Sequence, residues 1–214
     1  MKRPIENLIN IVITVTTVCA ISVYFYGKAD ALGSAGTNCF RYYTTDSNVL
    51  AAVSAGLCLV FSFRKRLPHA VEVFRFISTV AVLITFFTTT FFLTPNAALS
   101  GRGMSAITAY FGGNVFVLHL STPVLSLISL LISEHDFTIS RKECLWGIST
   151  VVIYSVVYVY MVVIAKEWRD WYGFTFGGKT QFVPIVVLVM YSFAAVLSLL
   201  LHLVNRKVSG RAKN

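Results

Sequence analysis

The chain has 214 residues; 56% are hydrophobic and only 13% are charged, about half the charged share of ordinary soluble domains. Mean hydropathy is +0.73 and the formal net charge is +9. The apolar residues fall in long runs, which points to a membrane protein rather than a soluble domain. The basic residues form no stripe with interleaved exposed aromatics, so nucleic acid is excluded as a partner.

The basic residues cluster instead at the ends of the apolar runs, at Lys2 and Arg3, at Arg64, Lys65 and Arg66, at Arg141 and Lys142, and at Arg206, Lys207, Arg211 and Lys213. Clusters of this kind are topology signals. The four cysteines, Cys19, Cys39, Cys58 and Cys144, include no CxxC pair. They read as small buried side chains, with Cys19 and Cys58 inside the membrane, rather than as a disulfide framework or zinc site.

The first apolar run, Leu8 to Tyr26, follows Lys2 and Arg3, and Ala29-Asp30-Ala31 resembles a signal-peptide cleavage site. The run is too long for a typical signal peptide, and Lys28 separates it from the small residues. A retained first helix is the expectation. Five more runs follow, and the six lie near 8–26, 44–63, 73–93, 114–133, 145–165 and 184–204. Each is long enough to cross about 30 Å of hydrocarbon as a helix. Backbone groups find no water in lipid, so a spanning segment without alternating strand patterns must be helical. The expected fold is therefore all-α, an integral membrane bundle of six transmembrane helices forming a single domain over residues 1–214.

With the N-terminus inside, twelve Lys and Arg residues fall on the inner side and six on the outer side. This bias predicts both termini in the cytoplasm and a multi-pass protein of the cell membrane. Trp168, Trp171 and Tyr172 then lie at the outer interface. The longest connection, near 94–113, contains Pro95-Asn96, Gly101 and Gly103. It is expected to start as a turn and to carry a short interfacial helix near 104–111. It reads as a plain connector, or as a lid.

Polar groups inside hydrocarbon are costly, so they mark the places to look for function. Two clusters stand out. One opens the second run with Tyr42, Tyr43, Thr44, Thr45, Asp46, Ser47 and Asn48. The other lies in the fourth run, with Asn114, His119, Ser121 and Thr122 before Pro123. Thr44 and Asn48 are four residues apart and share a helix face. The plain reading of the first cluster is a helix cap by Thr44 or Thr45, with Asp46 at the positive end of the helix; Asn48 lies deeper than a cap requires.

His119 is the one histidine well inside an apolar run; His69 and His135 fall in loops, and His202 near the inner end of the sixth run. Pro123 lacks the N–H that would bond the His119 carbonyl, so the helix should kink or open there. His119 reads either as a structural histidine bonded to a neighbouring helix or as a functional one. Both clusters lie at similar depth from the outer face. A hydroxyl and an imidazole at matching depth can form a nucleophile and a general base.

At these residues the chain resembles the bacterial branch of the six-helix proteins related to the animal androgen-induced membrane hydrolases. The family pattern at the start of the second helix reads here Tyr42-Tyr43-Thr44-Thr45-Asp46-Ser47-Asn48-Val49-Leu50. A histidine shortly before a proline reads here His119-Leu120-Ser121-Thr122-Pro123, and an aromatic outer loop reads Trp171-Tyr172-Gly173-Phe174. Asp46 departs from the Gln common in the family, Leu120 from a Thr, and the aromatic loop lacks its usual prolines.

The animal members are similar to threonine hydrolases of branched fatty-acid esters. The resemblance implies Thr44 as nucleophile and His119 as base, with a lipid or fatty-acyl ester as substrate. Asn48, Asn114 or Ser121 would donate to the developing oxyanion. No metal or cofactor is needed for that chemistry. The rival expectations are a small proton-linked transporter using His119 and a membrane protein without chemistry. The oligomeric state is not readable from the sequence.

Overall fold

A computed structural model describes residues 2–27, 36–64, 66–133 and 139–211, and the side chains of those between 4 and 208. Lys28, the Ala29–Ala31 motif, Lys65, His135 and Lys213 lie outside the described residues. Every regular element among the described residues is helical. The helices are α1 Lys2–Tyr26, α2 Tyr43–Val60, α3 His69–Arg102, α4 Ser105–Phe111, α5 Gly113–Ile132, α6 Arg141–Ile164 and α7 Val183–Arg211. Five of them, all but α2 and the short α4, are long and apolar enough to cross a membrane.

α2 falls short of the other five because Thr44, Thr45, Asp46, Ser47 and Asn48 occupy its first two turns. Its 18 residues still make a rod about 27 Å long at 1.5 Å per residue. It packs against α1, α3 and α5. Its buried face is made of small side chains, Ala51, Ala52, Ser54, Ala55 and Cys58, which let backbones approach closely as apolar helix pairs in lipid require.

α1, α2, α3 and α5 form a four-helix group. α3 also carries α6 and α7 on its other side. Its buried stretch Phe76, Val80, Ala81, Leu83 and Ile84 is the centre of the main apolar core. The outward surfaces are apolar too: Leu8 is 60% exposed, Ile153 67% and Leu188 65%. Rows of exposed aliphatic side chains on long helices belong in lipid, where no hydrophobic penalty attaches to them. The architecture is an all-α membrane bundle.

Side-chain bonds fix the directions of the helices. Glu6, at the start of α1, accepts from Arg75 Nη1, near the start of α3, at 2.8 Å. Arg75 Nη2 donates to Ser129 Oγ at 2.8 Å and Nη1 to Ser133 Oγ at 3.3 Å, both at the end of α5. His69 and Glu143 join the starts of α3 and α6 at 2.6 Å. Ser198 Oγ donates to the Cys144 carbonyl and brings the late part of α7 to the same place. The starts of α1, α3 and α6 and the ends of α5 and α7 thus share one end of the bundle, the Glu6 end. The starts of α2 and α5 share the other, the Thr44 end, where Ser47 and Thr85 hydroxyls bond at 2.8 Å.

Several expectations are corrected here. The third helix does not stop at a Pro95-Asn96 turn but runs on past the proline to Leu99, where Ser100 and Gly101 leave helical backbone angles. A π-turn at Thr89–Leu93 precedes the proline, and the Thr94 N–H bonds the Thr89 carbonyl. One wider turn absorbs the missing donor of Pro95, so the helix continues instead of breaking. The short helix expected near 104–111 is α4. His69 is the first residue of α3 rather than a loop residue. Neither Thr44 nor Thr45 caps α2: the helix opens one residue earlier, after an extended Tyr42, and no side chain caps it. Cys19 is exposed on the bundle surface, while Cys39, Cys58 and Cys144 are buried.

Candidate active site

α2 starts at Tyr43, which puts Thr44 in its first turn. α5 starts at Gly113, whose φ of 55° is open to glycine at little cost and turns the chain back from α4. That reversal aims the end of α4 at α5. The Tyr110 carbonyl, in the last turn of α4, has no onward helix to bond. It accepts from His119 Nδ1 at 2.7 Å. A carbonyl can only accept, so Nδ1 carries the hydrogen and Nε2 of the neutral ring keeps its lone pair. Thr44 Oγ1 lies 3.4 Å from that Nε2. The hydroxyl, the imidazole and an orienting carbonyl therefore stand in a line.

The ring is 6% exposed, and the Tyr110 and Phe111 rings flank it at 6.2 and 6.4 Å between centroids. It sits in a second π-turn, Val117–Ser121, where the Thr122 N–H reaches back to the Val117 carbonyl. Pro123 follows, so the opening of the helix beside the imidazole takes the form of a π-turn.

This turn explains Asn48. The Leu118 carbonyl would ordinarily accept from Thr122, whose N–H is committed to Val117. The next residue along is Pro123, which has no N–H. Asn48 Nδ2 fills the gap at 3.0 Å and donates its other hydrogen to the Thr44 carbonyl at 2.7 Å. Both amide hydrogens are used, which leaves none for an oxyanion. Asn48 is a clamp that holds the Thr44 turn of α2 against the His119 turn of α5. Asn114 is exposed at the start of α5, and no hydrogen bond joins it or Ser121 to Thr44 or His119 among the described residues.

A cavity of about 620 Å³ reaches Thr44 from the side away from His119. Its walls come from α3, α6, α7 and the loop before α7, including Ile84, Phe87, Val151, Tyr154, Val186 and Met190. The lining is almost wholly apolar apart from a few hydroxyls. Phe91 is 70% exposed and Ile185 59%, and both line the cavity, so it opens sideways through the bundle surface. His119 is not part of the wall. Thr44 stands between the cavity and the imidazole.

The loop from residue 165 to 179 closes the Thr44 end. Asp170 organises it, accepting from Tyr158 Oη at 2.9 Å, the Phe174 N–H at 2.9 Å, the Thr175 N–H at 2.8 Å and Thr175 Oγ1 at 2.6 Å. Burial alone would raise the Asp170 carboxyl, but these hydrogen bonds outweigh it and hold the group below the usual carboxylate range. Tyr172 is fixed by its N–H, which donates to Tyr158 Oη at 3.2 Å, and its side chain lines the cavity with Thr44.

The structure thus brings Thr44, His119 and Asn48 together, and among the described residues no hydrogen bond joins Asn114 or Ser121 to them. The Tyr110 and Leu118 carbonyls were not visible in the sequence, because a backbone group has no residue signature. Tyr172 was legible as an interfacial aromatic and as part of the aromatic loop motif, not as a neighbour of Thr44. No family model matches the chain, and neither a curated protein nor a solved structure matches it.

Proposed function

We propose that the protein is a six-span cell-membrane hydrolase of lipid esters, with both termini in the cytoplasm, Thr44 as nucleophile and His119 as general base. The observation that carries the reading is the Thr44 hydroxyl 3.4 Å from a His119 nitrogen whose ring is locked in the accepting tautomer by the Tyr110 carbonyl. Unliganded hydrogen bonds of this kind tighten in complexes with substrate. The motifs around Thr44 and His119, which resemble those of the androgen-induced membrane hydrolases, support the same assignment.

In this mechanism His119 Nε2 takes the Thr44 proton as Oγ1 bonds to the ester carbonyl carbon. The carbonyl π pair moves onto oxygen. Collapse expels the alcohol, which takes the proton back from His119, and water then hydrolyses the acyl-threonine with the same base. The apolar cavity accepts the acyl chain sideways from the outer leaflet, so the ester need not leave the bilayer. The sixth span is α2, whose polar first turns are the price of holding Thr44 within the membrane.

The test is labelling of the full-length protein in detergent micelles with a lipid-directed fluorophosphonate. Wild type labels; Thr44→Ala does not. His119→Ala labels slower by about 10²–10⁴-fold, the worth of a positioned base. Unchanged labelling in Thr44→Ala refutes the assignment.

A further inference from the structure

The hydrolase reading leaves one requirement unmet, a donor for the oxyanion. Asn48 has no spare hydrogen, and Asn114 is exposed. The donor must share the cavity with Thr44, carry an acidic hydrogen and be held by its surroundings. The phenols that line the cavity with Thr44, more acidic than the threonine and serine hydroxyls in its wall, are those of Tyr43, Tyr154 and Tyr172. Tyr43 Oη is engaged with Thr150 Oγ1 at 2.8 Å. Tyr154 Oη donates its hydrogen to the Arg41 carbonyl at 2.7 Å. Tyr172 remains.

We propose that Tyr172 is a catalytic residue of the same site, its phenol donating a hydrogen bond to the ester oxygen as Thr44 attacks. This rests on the Thr44–His119 reading. Three features support it. The ring is fixed by aromatic neighbours, with centroids 5.4 Å from Tyr158, 6.0 Å from Phe174 and 6.2 Å from Tyr154. Its backbone is tied to the Asp170 loop through Tyr158, so the donor is placed before substrate arrives, as electrostatic catalysis requires.

The phenol also has the right proton state. Burial pushes it up to about 12, against the opposing pull of the Tyr154 side chain, the Tyr43 backbone and Thr44. It therefore keeps its hydrogen across the neutral range. The one Tyr43 backbone group able to favour a phenolate is its N–H, which belongs to the positive start of α2.

In the reaction the ester C=O π pair becomes an oxygen lone pair as the Thr44 Oγ1–carbon bond forms. Tyr172 Oη–H bonds that oxygen without transferring its proton. When the intermediate collapses the π bond re-forms and the hydrogen bond weakens. The groups around the phenol that titrate are Tyr42, Tyr43, Tyr154 and Tyr158, with Asp170 beyond Tyr158 and His119 behind Thr44.

The experiment is hydrolysis of p-nitrophenyl palmitate by the full-length protein in detergent micelles. It compares wild type, Thr44→Ala, Tyr172→Phe and a variant carrying difluorotyrosine at position 172. Tyr172→Phe is expected to lower kcat about 10²–10³-fold, the loss typical of one oxyanion donor, with KM little changed. Difluorotyrosine keeps the shape but ionises at lower pH. It should stay active near neutrality and bring the alkaline limb of the kcat profile down in pH, which a structural tyrosine would not do. A Tyr172→Phe enzyme close to wild type in kcat overturns the Tyr172 role and leaves Thr44 and His119 in place. If Tyr172→Phe does not fold, an unmoved alkaline limb in the fluorinated protein overturns it instead. Absence of any Thr44-dependent turnover in wild type overturns both.

Discussion

Replacing Asn48 by Leu keeps the branched shape of the side chain and removes the clamp between α2 and α5. The Thr44 carbonyl survives the change, because Ser47 Oγ also donates to it at 3.0 Å. The Leu118 carbonyl does not: its α-helical donor is committed to Val117, and Pro123 has nothing to offer. Leu118 is 2% exposed, so its carbonyl is left dry. A buried polar group without a partner costs about 1–3 kcal/mol, while interhelical bonds in membranes run from about 0.6 to 1.7 kcal/mol. The expected loss is thus about 1–2 kcal/mol. The informative variant is the double one. Pro123→Ala supplies an N–H five residues after Leu118, the spacing a π-turn uses, and should restore most of what Asn48→Leu removes. Denaturant unfolding in mixed micelles, across wild type, both single variants and the double, measures the coupling. Residues sharing a network couple by about 0.5–3 kcal/mol. A double variant whose cost equals the sum of the singles would refute the claim that Asn48 substitutes for the donor missing at Pro123.

Three further outcomes follow from the geometry. A Cβ on Gly147 would lie 2.5 Å from Ser198 Oγ and 3.2 Å from Val80 Cγ1, so Gly147→Ala should cost about 1–3 kcal/mol as an overpacked contact, seen as a lower unfolding midpoint; an unchanged midpoint would mean α6 and α7 are further apart. Asp170 titrates below its ordinary value of about 3.9, so its ionised form stabilises the loop above that pH and the contribution is lost as pH falls through the lower folded value. Hydrogen exchange at the Phe174 and Thr175 amides should accelerate over that window and lose this pH dependence in Asp170→Asn. Reporter fusions after Lys142 and Lys207 should both report cytoplasm; an outside signal from the second would mean an odd number of spans.

The membrane character was legible because burial in lipid needs only length and apolarity, which a sequence displays directly. The order of helices and the nearness of Thr44 to His119 followed from depth: both lie a few residues into helices that start at the same end. The opening at Pro123 followed from one missing N–H. The extra length of α3 was hidden because a proline reads as a stop, while a π-turn at Thr89–Leu93 lets the ladder pass it. Thr94-Pro95 and Thr122-Pro123 share this arrangement, each preceded by a π-turn. The role of Asn48 was misread for the same reason, since its acceptor is a carbonyl freed by a π-turn. Asn114 and Ser121 were chosen for polarity alone, and neither is bonded to the pair.

The alternative of proton-linked transport turns on whether the buried polar groups connect. A seam of them runs between α1 and α5 towards the Glu6 end: Thr17 with Thr122 at 2.8 Å, Ser126, and Ser129 Oγ donating to Asn10 Oδ1 at 2.7 Å. A proton wire needs head-to-tail bonding along such a seam. These bonds close crosswise instead, Thr17 on Thr122 and Ser129 on Asn10, and Thr14 Oγ1 turns back to the Asn10 carbonyl of its own helix. Crosswise bonding is what holds helices together in lipid. His119 spends both ring nitrogens on Thr44 and Tyr110, which leaves neither for the seam that begins at Thr122. At the far end Glu6 and Arg75 neutralise each other, the arrangement that lets two charges stay buried. On α3 the stretch from Val80 to Ile84 is apolar and buried, so Thr79 and Thr85 have no polar residue between them. Among the described residues the one hydroxyl hydrogen-bonded to the imidazole is that of Thr44, which also borders the apolar cavity. The histidine is thus tied to Thr44 and Tyr110 and, among the described residues, to no member of the seam.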